Sequence, residues 1–473
     1  MLLQEYKLFK KLLINMRKNN KYQYGFHDSI NNKFCLKKGL NKEIIKAISK
    51  SKNEPSWMLQ KRLDAYEIFQ KLKNPSWGPD LSHINFNDYT YYVANNSKIS
   101  NKWSDVPNKI RQTFKRLKVT DAEAKFLSGV NNQYDSEVIY NKIQNNLKKK
   151  NVIFCNIENA LKICPNLVKK YFGKLVPPSD NKYAALNTAV WSGGSFIYLP
   201  KDVKLDKPLQ AYFRINTRQM GQFERTLIIV EDRASLNYIE GCTAPIYDKN
   251  NLHAAVVEVF VNANAMCRYT TIQNWSDNVL NLVTKRSIVY ENGIMEWIDG
   301  NIGAKLNMKY PATLLAGSYA KAKCISIALA HKDVIHDAGA KMLHLANNTS
   351  SSILAKSIAH NGGRADYRGK VYIAKDAINS KAEVTCDTLI LDKKSKSNTI
   401  PLEIINNNSS FIRHEAKVTQ LDKEKIFYLQ TKGLSIKQAK NILSLGFIEP
   451  FTDQLPMEYA VELNRLLNQD FHN

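Results

Sequence analysis

RTLIIV (225–230), LNYIE (236–240), AVVEVFV (255–261), CRYTTI (267–272), RSIVY (286–290) and MEWID (295–299) follow one another with no helix-length periodic segment between them. They are rich in Val, Ile, Thr and Tyr, and Asn, Asp and Gly punctuate the gaps, the pattern of short strands joined by turns. The same pattern extends outward in both directions. SFIYLP (195–200) and AYFRI (211–215) precede it, and CISIALA (324–330), ILAKSIA (353–359), KVYIA (370–374) and VTCDTLILD (384–392) follow. Strand groups return every roughly 20 to 30 residues, as stacked solenoid coils do. A β-sandwich competes, but more than ten strands make a large one. The expected fold is therefore mainly β, with a parallel β-helix (solenoid) core over residues 176–422.

Residues 1–175 read as mainly helical. Met58, Leu59, Leu63, Tyr66, Phe69 and Leu72 recur at helical spacing, with Pro55 near the start and Pro75 past the end. MLLQEYKLFKKLLINMRKNN at the N-terminus predicts an amphipathic helix rather than an import peptide. The Asn- and Lys-rich stretch from Asn141 to Lys150 predicts a solvated helix end or loop. Helices return over 423–473. Ser435 and Gln438 form a capping box, Gly446 is the expected stop, and Pro456 opens a last helix with Tyr459, Leu463, Leu466 and Leu467 on one face. That module is a plausible docking site for a partner.

The 473 residues carry a net charge of +25, from 68 Lys plus Arg against 43 Asp plus Glu. The lysines are scattered among Asn, Ile and Tyr, as AT-rich codons favour, and no zinc-finger or RNP-like motif accompanies them, so specific nucleic-acid binding is not expected. No apolar run approaches the roughly 18 residues of a membrane span. Seven widely spaced cysteines without a CxxC indicate neither a disulfide framework nor a structural zinc site, and point to a reducing compartment. Cys267 and Cys324 sit in apolar alternating segments and read as core.

There is no GxxxxGK[ST], HExxH, GxSxG or GxGxxG; GNIGAK (300–305) is only superficially similar to a P-loop. A carbohydrate hydrolase, a common use of a β-helix, needs grouped acids, and Glu240, Asp299 and Asp387 are scattered. Cys242 lies in IEGCTAP (239–245) at a strand end or turn. By residue type it is either a sulfur-transfer nucleophile, activated by cations such as Arg214 or Arg225, or a buried structural thiol. Cys386 is followed 28 residues later by His414 and Glu415, close to one coil. Thiolate, imidazole and carboxylate are all competent iron ligands, but spacing alone favours a solvated strand edge for the latter two.

These segments resemble a known family. FRINTRQMGQFERTLIIVEDRASLNYIEGCTAPIY (213–247), YTTIQNWSDNVLNLVTKR (269–286), MEWIDGNIGAKLNMKYPA (295–312), GGRADYRGKV (362–371), CDTLILD (386–392), RHEAKV (413–418) and LPMEYAVELNRL (455–466) resemble SufB of the SUF iron–sulfur assembly system, as does NEPSWMLQKRLDAY (53–66). The likeness runs from about residue 50 to 467, and the composition resembles a plastid-encoded, apicoplast-type member. It implies a right-handed β-helix, a scaffold rather than an enzyme, and pairing with SufD. It also implies docking of the SufC ATPase on the C-terminal helices, which fits the missing P-loop; a weak intrinsic ATPase and a homodimer remain open. Cys242 matches the family's acceptor of persulfide from SufS–SufE. Arg214, Asn216, Glu224, Thr271, Gln273 and Trp275 match positions along a proposed sulfur path. Cys386, with Glu415 and His414, matches the site where a transient iron–sulfur cluster, expected as 4Fe-4S, is built. Some family complexes bind reduced FAD, and nothing in this sequence identifies that site. Asn398 stands where an acid is common, Arg413 where Gly is usual, and an N-terminal Cys cluster of some members is absent. The rival readings are a SufC-regulating platform without its own cluster and a β-helix carbohydrate enzyme.

Overall fold

Two walls of parallel strands face each other across a narrow packed interior in the computed structural model, which describes residues 25–27, 34–94, 99–116 and 127–455. The first wall stacks eight strands: β1 (Leu209–Arg214), β2 (Ser235–Thr243), β3 (Met266–Asn274), β4 (Ile294–Ile302), β5 (Lys321–Ala330), β6 (Ser350–Ala359), β7 (Lys381–Ile390) and β8 (Phe411–Gln420), each paired with the next. A second set of strands, from Phe196–Leu199 to Thr399–Ile405, builds the second wall. Together they make a parallel β-solenoid of about 8 turns, as the strand pattern predicted.

One corner of the solenoid is set by backbone conformation. Arg233, Asn264, Asn292, Tyr319, Asn348 and Asn379 all adopt positive φ between 52° and 62°. Asn accepts that left-handed turn more readily than most residues, because its short amide bonds locally. The corner amides donate to the next coil, as in Asn264 N to Glu291 O at 2.8 Å and Asn292 N to Ser318 O at 2.9 Å, and at the last corner Asn379 N donates to Ser409 Oγ at 3.0 Å. The turn residues between the apolar runs thus stack as a ladder of their own.

Strand parity then sorts the side chains. Leu236, Tyr238, Glu240 and Cys242 of β2 face inward, and Cys267, Tyr269, Thr271 and Gln273 of β3 lie opposite them. The outer face of the first wall presents Ile298, Ile302, Ile325, Ile327, Leu329 and Ile358, on which α6 (Ile436–Thr452) lays Ile448 and Phe451. Helices α1 (Lys42–Lys52), α2 (Ser56–Lys71), α3 (Ile157–Ile163) and α4 (Lys182–Val190) cover the outer face of the second wall.

The N-terminal end of the stack is covered by an antiparallel hairpin, Gly129–Tyr134 and Glu137–Ile143, whose first strand pairs with β1. These strands fall in a region expected to be mainly helical. Asn131, Asn132 and Gln133 occupy buried positions where the sequence shows no apolar alternation; Asn131 donates to Gly194 O and Ser195 Oγ instead. The same hairpin takes in Asn141 to Ile143 of the stretch read as a helix end or loop; only Asn145–Lys149 of it is helical. Among the described residues, β8 at the C-terminal end has a neighbour strand on one side only, and Leu402, Phe411 and Val418 are each about half exposed.

The α2 helix begins after Pro55 and ends before Pro75, and the Ser435–Gln438 capping box is formed. Gly446 does not stop α6, which runs on through Pro450 to Thr452. Gly446 keeps a helical backbone, without the positive φ of a helix-ending glycine. The expected N-terminal amphipathic helix and the helix opened by Pro456 lie outside the described residues. No described helix is long and apolar enough to cross a membrane.

Candidate functional site

Register alone aligns an interior column along the first wall: Glu240, Thr271, Asp299, Ser326, Ala355 and Cys386 are successive in-register partners. Cys242 stands two residues along β2 from Glu240, on the same inner face, and pairs with Gln273. From Cys242's strand to that of Cys386 there are five strand-to-strand steps, or about 24 Å at about 4.8 Å each.

The Cys242 end is buried and charged. Cys242 is 1% exposed, and its Sγ lies 4.0 Å from Glu240 Oε1. Burial pushes the thiol well up, and the Glu240 and Glu224 carboxylates add to this, while Lys285 and Lys309 pull it back. Tyr269 donates to Glu240 Oε2 at 2.6 Å, and burial raises the Glu240 carboxyl despite Lys285. Opposite, His253 bridges Glu224 Oε2 at 2.7 Å and Asn281 Oδ1 at 2.6 Å, with the Trp275 ring 4.8 Å from its own. Burial works against its imidazolium, yet Glu224 and Asn281 outweigh burial and leave its pKa raised.

Toward the middle of the column two lysines converge on one carboxylate. Lys285 and Lys309 lie 3.0 and 3.2 Å from Asp299 Oδ1, all three side chains being 1% exposed. Lys285 also donates to Thr271 Oγ1, and Lys309 to Gln273 Oε1 at 3.1 Å. Burial favours a protonated Asp299, but the two ammonium groups reverse this and hold it low. Lys309 is pushed down to about 8 by burial, against the pull of Asp299. Beyond Asp299 the column continues through the small side chains of Ser326 and Ala355 to Cys386.

Of the six predicted path residues, Glu224, Thr271, Gln273 and Trp275 share this interior with Cys242. Arg214 and Asn216 do not. Arg214 pairs with Thr243 rather than Cys242, so it faces outward, where it donates to Phe26 O and lies over the Phe26 ring. Asn216 follows the end of β1 with its backbone N held by Asp135 at 2.7 Å. Arg225, considered as an activator of Cys242, also faces outward and is bound to Glu258. The sequence reading missed His253, Asn281, Lys285 and Lys309, all from the second wall; strand parity in NLH and VLNLVTKR was the available signal.

At the other end Cys386 Sγ lies 3.2 Å from His414 Nε2, and His414 Nδ1 lies 2.6 Å from Glu403 Oε1. Burial pushes the Cys386 thiol up to about 11, with Asp387 and Glu403 adding and a Thr399 bond opposing. Glu415, expected beside Cys386, is opposite Thr385 on the outer face, where Lys417 binds it and lowers its carboxyl. Glu403, on the second-wall strand Thr399–Ile405, is the acid that faces the imidazole. Among the described residues no group of three or more His, Cys, Asp or Glu is arranged to hold a metal ion by itself. A thiol and an imidazole, the latter oriented by a carboxylate, are nevertheless a donor pair suited to iron.

The fold and site define a class: a β-solenoid whose interior holds a charged cluster beside one buried thiol, with a second buried thiol further along the same column. The chain belongs to the SufBD family of SUF-system iron–sulfur cluster assembly proteins. Residues 213–447 match the family described as SUF system FeS cluster assembly, SufBD core domain, and residues 40–211 the SufBD protein N-terminal region. Similar proteins include the iron–sulfur cluster assembly SufBD family proteins of Staphylococcus aureus strain MRSA252 and Staphylococcus haemolyticus strain JCSC1435. Each is 53% identical over 446 residues, covering 94% of this chain and 96% of the relative.

Proposed function

We propose that the chain is the SufB-type scaffold of its system: Cys242 accepts sulfane sulfur from a donor persulfide, and Cys386 with His414 holds the nascent cluster as cargo. The observation that carries this reading is the in-register column from Glu240 to Cys386, with Lys285 and Lys309 along it. A persulfide is anionic, and an apolar interior would penalise it, whereas buried ammonium groups and amides offset that cost. The remaining ligands would come from a second protein seated on the open β8 edge, a role that fits SufD. SufC would dock on α5 (Lys423–Thr431) and α6, where Phe427 and Tyr428 are exposed, and would supply ATP hydrolysis. The Lys- and Asn-rich composition supports a plastid genome as source, which fractionation of the source cell tests.

Anaerobic assembly by the complex with SufC and SufD is the experiment. Cys242→Ala and Cys386→Ala should each abolish cluster formation, followed by absorption and Mössbauer spectra, while SufC still co-purifies. Normal assembly by either variant removes that residue's role. The second reading, a SufC-regulating platform without its own cluster, draws on the lack of a three-donor metal group among the described residues. It predicts unchanged assembly when Cys386 is replaced.

A further inference from the structure

A cavity of about 340 Å³ opens on the far side of the second wall, between the loop after α2 and the strands at Val279–Val289 and Leu306–Lys309. Lys285 of the interior site is also among its lining residues. Its floor is apolar, from Leu282 and Met308. Trp77, 44% exposed, stands at the rim with its ring 5.7 Å from that of Tyr310 and the Arg368 guanidinium 4.9 Å over it.

Five cations, Lys73, Lys182, Lys285, Arg286 and Lys341, line the same cavity against one carboxylate, Asp180, and Lys285 is already bound to Asp299. Asp180 is already taken: Arg286 Nη1 holds it at 2.7 Å. Lys182 is committed to the carbonyls of Phe69 and Leu72. Lys341 has no carboxylate within ion-pair distance among the described residues and lies 5.4 Å over the Tyr310 ring. Half-buried charge is costly, and burial and the nearby Arg286 push the Lys341 pKa down against the opposing pull of Asp180. A bound anion would remove that cost.

We propose that this cavity is a binding site for a nucleotide-class ligand, its phosphates on Lys341 and the cations beside it and its planar ring on Trp77. Both halves of the ligand are needed to use what the site offers. Phosphate alone would leave the exposed indole and the apolar floor unused, and an uncharged ring would leave Lys341 uncompensated. The volume is at the lower end of the range for small-molecule sites, about 300–1,000 Å³.

Calorimetric titration of the full chain with adenosine diphosphate and, separately, inorganic pyrophosphate tests this. Adenosine diphosphate should bind saturably and more weakly as salt is raised. Lys341→Ala should weaken it by about tenfold, the effect of one charge-assisted contact, and Lys341→Glu further. Trp77→Ala should weaken adenosine diphosphate by about three- to tenfold and leave pyrophosphate unchanged. No saturable binding at millimolar nucleotide overturns the proposal, as does a Lys341→Glu variant that binds like the parent. Pyrophosphate binding as tightly as the nucleotide, with no effect of Trp77→Ala, overturns the ring half and leaves a phosphate site.

Discussion

Cys386 Sγ and His414 Nε2 stand 3.2 Å apart because of the register of the last coil. Cys386 lies opposite Ala416, so His414, two positions earlier, shares its inner face, whereas Glu415, one position earlier, must face out. The carboxylate bond at Nδ1 places the imidazole proton there and leaves the Nε2 lone pair toward sulfur. In that tautomer Nε2 can take the thiol proton or bind a metal.

Glu403 therefore acts through His414, as an outer-shell carboxylate does in metal sites, where its loss typically costs about 10- to 100-fold in affinity or activity. Glu403→Gln should reduce anaerobic cluster assembly by about that factor, and Glu415→Gln by less than about twofold. Iron titration monitored by absorption would compare them. Equal losses would mean that the register argument misassigns the acid.

Thiol reactivity should follow burial and pKa together. Cys35 is exposed, Cys164 is half-buried, and Cys155, Cys242, Cys267, Cys324 and Cys386 are buried. A thiol pushed up to about 11 has a thiolate fraction that rises about tenfold per pH unit below that value. Alkylation of Cys386 in the isolated chain, read by peptide mass spectrometry, should climb steadily from pH 7 to 10. Cys35 should react first at every pH. A Cys386 rate that levels off below pH 8 contradicts the burial described here.

The solenoid was legible because its period-2 alternation and Asn-rich corners are local features that repeat every coil. The hairpin at Gly129–Ile143 was not, since its buried positions include Asn131 and Gln133, which bond to Gly194 and Ser195 of a distant loop. Cys242 and Cys386 could be singled out by residue type and resemblance. Their partners could not. The separation from Cys386 to His414–Glu415 is close to a coil length, but only the register says which of the two neighbours faces inward. Lys285, Lys309 and Glu403 come from the opposite wall, whose phase relative to the first wall no local pattern encodes.

The outward-facing pair Arg225–Glu258 should matter for stability alone. Glu258 Oε2 meets Arg225 Nη2 at 2.5 Å and accepts Gly173 N at 2.8 Å, and Oε1 accepts Leu175 N and Val176 N at 2.8 and 3.0 Å. Both side chains are fully buried. Glu258→Gln leaves a buried guanidinium unpaired, a change that costs about 3–5 kcal/mol. The urea midpoint should drop accordingly with an unchanged slope. A shift below about 1 kcal/mol would show that water or another group reaches Arg225.

Lys309 gives a pH-dependent test of the interior charge. Its folded pKa, about 8, lies below the ordinary 10.5, so between those values the unfolded chain binds more protons than the folded one. Stability rises with pH wherever that holds, and the destabilising charge is fully present below about pH 8. Lys309→Met removes this titration while Lys285 still pairs Asp299 at 3.0 Å. The parent should therefore gain stability relative to Lys309→Met as pH rises from 8 to 10, measured as the difference between two urea curves at each pH. The buried tyrosines titrate in both proteins and cancel in that difference. A difference that does not change with pH would mean that Lys309 keeps its proton throughout, with Asp299 outweighing burial.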